Sequence, residues 1–257
     1  TLENEAVYLY TARDVAKENE LAAEIDNRFT DIRTKYVLSH HWLPSIDRDL
    51  DEYDNVPDTN YVVHTTTGEG VDTGFRLTPI ANTPYSLSAK MWQYGENGGI
   101  VQEVAREFSK NIDCKMAVES ESLWDLTRFV ENFHDGVDKR GRLQTLLTTM
   151  MAAGRDERVS GPNAVWVFTL SEKFEKALCL MGIRVNTLYK GKVSTEDAEN
   201  AVFGYVKPEE SLEEFLNLGE SKQSRFLGSL LLGASSTTVS RIVTPRTTSA
   251  PSLELVQ

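Results

Sequence analysis

Two β-rich runs around a pair of glycines set the strongest limit on what this chain can fold into. Tyr61-Val62-Val63-His64-Thr65-Thr66 is dense in β-branched and aromatic residues. Gly68 and Gly70 mark a turn, and Val71 to Leu77 reads as the returning strand. Pro79 and Pro84 end the hairpin. More strand signals flank it. Val7 to Tyr10 is a short first strand, and Leu123 to Val130 alternates large apolar and polar residues. Val165 to Phe168 is a buried-type strand, and Ile183 to Leu188 and Ala201 to Val206 are two last ones. Helices are expected over Ala12 to Glu24, about Asn27 to Ser39, Ser88 to Tyr94, Ile100 to Lys110, Asp138 to Arg155 and Glu172 to Met181. A hairpin early and β-α-β-α-β later predict the α/β (α+β) class: one domain with a mixed, mostly antiparallel sheet flanked by helices.

That domain is expected over residues 1–210, with a helical extension and flexible tail over 211–257, where Ser, Thr and Pro accumulate from Ala234 onward. No apolar run reaches the ~18 residues of a membrane helix. The acidic start has no apolar signal core. Cys114 and Cys179 are read as reduced thiols of a cytoplasmic protein, with Cys179 on the apolar face of its helix. A net charge of −12 argues against nucleic acid as a partner. His40 and His41 have no other His or Cys nearby at ligand spacing, so no metal is expected.

Three segments concentrate chemistry. The first is Arg33-Thr-Lys-Tyr36-Val37, then Trp42, then Asp49-Leu-Asp51-Glu-Tyr53-Asp54. The second is Phe75-Arg76-Leu77-Thr78-Pro79 followed by Thr83-Pro84-Tyr85-Ser86-Leu87. The third is Leu123-Trp124-Asp125-Leu126-Thr127-Arg128-Phe129. In this order and spacing they resemble the acyl-homoserine lactone synthase family, over roughly Tyr8 to Val206. The resemblance implies an N-acetyltransferase-like fold. In that fold two central strands, here Leu123–Glu131 and Val165–Thr169, splay apart to admit a thioester arm. It implies transfer of an acyl group from acyl-carrier protein or acyl-CoA to the amine of S-adenosylmethionine. Lactone closure then releases methylthioadenosine. S-adenosylmethionine is the substrate, and no cofactor is implied.

By the same resemblance Asp125, Arg128, Asp51, Asp54 and Arg76 are the catalytic candidates. Arg33, Trp42, Tyr36, Trp92, Thr169 and Ser171 are the substrate-binding candidates. Asp125 stands where the family has glutamate, so Asp125→Glu is expected to keep or raise activity. The family's phenylalanine falls near Met91 or Trp92.

The residue types suit that chemistry. A carboxylate cluster such as Asp49, Asp51, Glu52 and Asp54 would attract a sulfonium and an ammonium, or be a solvated acidic loop. The α-amine, which titrates near ~8, needs only a modestly placed base, with Asp125 first and Asp51 or Asp54 next. Simple alternation puts Arg128 on one face with Leu126 and Val130. A buried arginine there needs partners, and Asp51, Asp54 and Asp125 are the candidates. Arg76 and Arg128 could also grip a substrate carboxylate. Lys139, Arg140 and Arg142 form a local basic patch suited to an acidic carrier protein, or a solvated helix start. Leu147, Met150, Met151, Trp166 and Phe168 are core, or the lining of an acyl tunnel. A related N-acyltransferase using another amine such as an amino acid, and a non-catalytic acyl-binding protein, are the other functions the sequence admits.

Overall fold

A computed structural model describes residues 5–17, 19–39, 45–66, 70–80, 88, 99–132, 139–180, 183–192, 200–210 and 238–242. Its strands are β1 (Glu5–Thr11), β2 (Asn60–Thr66), β3 (Gly70–Pro79), β4 (Leu123–Glu131), β5 (Val165–Ser171), β6 (Asn186–Gly191), β7 (Ala201–Val206) and β8 (Thr238–Arg241). They form one sheet in the order β6-β7-β5-β4-β3-β2-β1-β8. Among the described strands only β4–β5 and β1–β8 pair in parallel. The helices are α1 (Ala12–Ala16), α2 (Glu20–Ser39), α3 (Gly99–Lys110), α4 (Ile112–Glu119), α5 (Lys139–Gly154) and α6 (Glu172–Leu180). The expected mixed, mostly antiparallel sheet with helices on its faces is what forms.

Several boundaries differ from expectation, each for a local reason. The break between the first two helices falls at Lys17–Asn19 because Thr11 and Asp14 box-cap α1 and the Asn19 side chain accepts from Ala22 N. Helix α4 was not anticipated; Asn111 caps it through Cys114 N. Ile183 does not open β6, because its N–H closes onto Leu178 O at the end of α6. Cys179 is exposed rather than core, since the buried position of α6 is its neighbour Leu178, about 100° round the helix. Within the segment expected to be flexible, Thr238–Arg241 is a strand lying parallel on β1. It is tied down by Arg241 on the buried Asp156 carboxylate, which Arg158 also contacts. The helix expected over Ser88 to Tyr94 lies outside the described residues except for Ser88. Among the described residues no helix is long and apolar enough to cross a membrane.

Both faces of the sheet are covered. On one, α5 and α6 pack Leu146, Leu147, Met150 and Leu178 against Val7, Val62, Phe75, Leu77, Trp124, Leu126, Trp166 and Phe168. On the other, α2 presents Ala22, Ile25, Phe29 and Ile32, spaced three and four apart, to Tyr8, Tyr10, Tyr61 and Val63. Phe29 lies so close to β3 that a Cβ at Gly74 would meet its ring at 2.7 Å. Further along this second face, α3 and α4 pack Val104, Phe108, Cys114 and Ala117 on Leu123, Val165, Val167 and Phe203.

Two irregularities in β4 set the site between those two clusters. First, β4 pairs with β5 only over Leu123↔Val165 to Asp125↔Val167, after which the two strands part. Second, Gly74 pairs with Val130 and Arg76 with Thr127, so β4 has one residue more than β3 between these rungs. Arg128 takes up the excess with a φ of 55°. The bulge reverses the alternation. Leu126 joins the α5 face, whereas Val130 joins the α2 face. The expectation that Arg128, Leu126 and Val130 share one side is therefore overturned.

Candidate active site

Arg33 sits one position past the apolar stripe of α2 and is 1% exposed. Its guanidinium reaches the acidic loop that follows. Nε donates to Asp49 Oδ2 at 3.1 Å, Nη1 to Asp54 Oδ1 at 3.0 Å, and Nη2 to Asp54 Oδ2 at 3.0 Å and Asp49 O at 2.6 Å. The loop is held to meet it by a short 3-10 turn, Glu52–Asn55, in which Asp51 and Asp54 cap one another's backbone N–H groups.

Arg76 comes up from β3 on the same face. Its Nη1 donates to Asp51 Oδ1 at 2.7 Å and Asp54 Oδ1 at 2.9 Å, its Nη2 to Asp51 Oδ2 at 3.0 Å, and its Nε to the Thr127 hydroxyl at 3.2 Å. The ring of Tyr53 lies 5.9 Å from its guanidinium carbon. Arg128, swung onto this face by the bulge, contacts Asp51 Oδ2 at 3.0 Å and Asp49 Oδ1 at 3.2 Å through Nη2. Three arginines and three aspartates thus alternate in one network whose formal charges cancel.

The network has an inner and an outer end. Arg33, Arg76 and Asp49 are buried and Asp54 keeps 8% of its side-chain surface, while Arg128 and Asp51 keep 29% and 25%. Burial works against the charge of Arg33, but bonding to Asp54 and the charges of Asp54 and Asp49 hold it above its ordinary range. Burial likewise pushes Asp54 and Asp51 up. Bonds and charge from Arg33 and Arg76 outweigh it at Asp54, and those from Arg76 and Arg128 at Asp51, so both carboxyls titrate below their usual value. Tyr61, whose hydroxyl donates to Asp54 Oδ1 at 2.9 Å, is pushed well up by burial and by that carboxylate. Arg128 is the member with donor capacity in reserve: its Nε is buried without a hydrogen-bond partner.

Asp125 lies on the same face of β4 but is fully buried, and Ser88 bonds both of its carboxylate oxygens. Ser88 N donates to Oδ2 at 2.6 Å and the Ser88 hydroxyl to Oδ1. The Thr169 hydroxyl of β5 donates to Ser88 O at 3.1 Å. Ser171, also a binding candidate, instead accepts from Phe174 N and caps α6. Tyr36 is half-buried against the α2 cluster. Trp42 and Trp92 lie outside the described residues.

The candidate acyl-pocket residues Leu147, Met150, Trp166 and Phe168 are buried in the α5-face core, with Met151 packed on it. They sit on the opposite side of the sheet from the ion network. Arg142 of the basic patch is exposed near the start of α5, and the side chains of Lys139 and Arg140 lie outside the described residues. Among the described residues no group of three or more His, Cys, Asp or Glu is placed to hold a metal ion. A cavity of about 720 Å³ opens on the outer flank of Asp54, lined by Ala12, Val15, Leu50, Pro57 and Tyr61, with Asp26 at its wall. Tyr61, Thr127 and Ser88 are the site residues that the sequence did not single out. A lone Tyr, Thr or Ser inside or beside a strand carries no spacing signal.

No family model matches the sequence, and no curated protein matches it either. Solved structures do. The chain is similar to the CoA-dependent acyl-homoserine lactone synthase BjaI, solved with SAM and isopentyl-CoA, at a TM-score of 0.55 and 15% identity over 94% of this chain and 95% of that one. It is also similar to the CoA-dependent acyl-homoserine lactone synthase MesI, at a TM-score of 0.53 and 15% identity over 86% of this chain and 95% of that one. This chain has the fold of those proteins.

Proposed function

We propose that this chain is an acyltransferase that joins an acyl group from a thioester to the amine of S-adenosylmethionine and closes the product to a homoserine lactone. The observation that carries the proposal is Arg128 at the outer end of the ion network, beside the point where β4 and β5 part, with 29% of its side-chain surface open. A guanidinium with donors to spare suits the carboxylate of an amino-acid substrate. Asp51, half-exposed next to it and held ionised, suits the ammonium or sulfonium. In the first step the amine nitrogen bonds to the thioester carbon, the carbon–sulfur bond breaks, and the thiol leaves with the amine's proton. In the second the carboxylate oxygen attacks Cγ and the Cγ–sulfonium bond breaks to release neutral methylthioadenosine. Both reacting groups of that step belong to one molecule, so held geometry supplies most of the rate.

The ligands of BjaI, SAM and isopentyl-CoA, support this substrate pair, and acyl-CoA is the donor to try first. The basic start of α5 supports acyl-carrier protein as the other. Both substrates fit a cytoplasmic setting. On this reading residues 1–210 hold the transferase, and the extension over 211–257 adds β8 to its sheet. The test is incubation of the purified chain with S-adenosylmethionine and each donor, reading acyl-homoserine lactone and methylthioadenosine by mass spectrometry. The two products should appear in equal amounts. Acylated amine without methylthioadenosine would mean a different amine acceptor. Bound acyl group without turnover would mean an acyl-binding protein.

A further inference from the structure

All three polar groups of Ser88 are committed to the two strands that part. Its N–H and hydroxyl go to Asp125 of β4, 37 positions away, and its carbonyl accepts from Thr169 of β5, 81 positions away. Asp125 is the last residue of β4 paired with β5, opposite Val167. Thr169 is two residues further along β5, on the same face and beyond the end of the ladder. Ser88 therefore bridges the strands where backbone pairing stops. Ser88 and Asp125 are both buried, and Asp125 has no exposed surface at all.

We infer that Ser88 is a positioning residue for acyl transfer: it orients the Asp125 carboxylate and fixes the spacing of β4 and β5 at the vertex of their opening. This rests on the acyltransferase function proposed above. A carboxylate that accepts two bonds from one residue has little rotational freedom about its terminal torsion, so the plane of the carboxylate is fixed. The Thr169 bond sets the other side of the gap. An acyl-thioester arm entering between the strands would meet a vertex whose width these three bonds define. No sequence pattern marks Ser88, because its role depends on two residues remote in the chain.

The test compares Ser88→Ala, Ser88→Thr and Thr169→Val. Ser88→Ala keeps the N–H bond to Asp125 and removes the hydroxyl bond. A hydrogen bond to a charged group is worth a factor of roughly 10 to 100. The kcat for acyl transfer should fall by about that factor, with KM for S-adenosylmethionine within about twofold of wild type. Ser88→Thr should recover most of the loss, and Thr169→Val should raise KM for the acyl donor instead. A Ser88→Ala kcat within twofold of wild type, or a Ser88→Thr as impaired as Ser88→Ala, overturns the inference. Hydrogen exchange supplies a readout independent of turnover: Ser88→Ala should speed exchange in 126–131 and 168–171 together, and unchanged exchange overturns the bridge. A wild-type chain without turnover on either donor would sink the proposed function, and the exchange result would still decide whether Ser88 joins the strands.

Discussion

Arg128 Nη2 lies 3.0 Å from Asp51 Oδ2 across 77 positions of chain, and it does so because β4 carries one residue more than β3 at that point. Without the bulge the guanidinium would face the apolar α5 side. The left-handed backbone of Arg128 costs an L-residue roughly 1–2 kcal/mol. A cost of that kind at a charged side chain beside a parted strand supports the role proposed for Arg128.

The bulge makes Arg128 testable in two ways. Arg128→Ala should lower acyl transfer at least 100-fold while shifting the thermal midpoint only a few degrees, because a partly exposed ion pair contributes on the order of 1 kcal/mol. Arg128→Lys should fail as well, since lysine lacks the planar fork. Arg128→Gly should be as inactive as Arg128→Ala yet more stable than it by about 1 kcal/mol, since glycine has no penalty at positive φ. Thermal melts beside steady-state turnover give both answers. Near-normal turnover in Arg128→Ala removes this residue from the site.

The inner end of the network should behave as structure. Breaking a buried pair by removing one partner costs about 3–5 kcal/mol, so Arg33→Met and Asp54→Asn should each be strongly destabilised in denaturant melts at neutral pH. A loss under about 1 kcal/mol in both would mean that the pairing contributes little.

Acid should expose the same network. Asp54 and Asp51 titrate below the unfolded value near ~3.9 because their arginine partners outweigh the burial that pushes them up. Lowered folded-state values mean that their contribution is complete above about pH 4 and drains as pH falls through those values. Wild-type stability should therefore drop below about pH 4, and Asp54→Asn, already less stable, should drop less steeply. Equal slopes would place the acid sensitivity elsewhere.

Asp125→Glu restores the residue carried by the resembling family, and from sequence alone it is expected to keep or raise activity. The geometry argues otherwise. An extra methylene at a fully buried position costs typically 1–3 kcal/mol, and a longer side chain must give up its paired bonds to Ser88. The variant should be less stable and less active. A more active enzyme with an unchanged melting midpoint would show that the Ser88 contact is dispensable.

How much of this was legible in the sequence follows a physical line. The hairpin, the alternation of Leu123 to Thr127 and the apolar face of α5 were readable because each is a local period matched by local burial. The pairing of Arg33, Arg76 and Arg128 with Asp49, Asp51 and Asp54 was only partly so: the charges were visible, their partners were not. The bulge left no trace, since the residue in the left-handed region is an arginine and not a glycine. Strand β8 left little, because four residues at a sheet edge take their conformation from the strand beside them. Ser88 left none, being defined wholly by Asp125 and Thr169.

The basic start of α5 gives a final prediction. Reversing charge at Lys139, Arg140 and Arg142 should raise KM for an acyl-carrier-protein donor and remove its salt dependence, with kcat little changed, because charges that steer a protein partner act on encounter and are screened within ~8 Å. Acyl-CoA kinetics should change less. Unchanged carrier-protein kinetics would mean that the donor docks elsewhere.

The place of β8 beside β1 has a consequence for how the chain is made. Glu5 leaves the ribosome early and Thr238 late, and at about 5–20 residues per second the interval is roughly 10–50 s. For all of it one edge of β1 lacks the strand that will cover it, although β2 can occupy the other edge much sooner. A nascent chain stalled or cut before Thr238 would present that open edge to its neighbours, and such edges invite strand-to-strand association. The strand that covers β1 is thus the last in chain order among the described ones, and truncation upstream of it should show first as insolubility rather than as loss of the ion network at the centre.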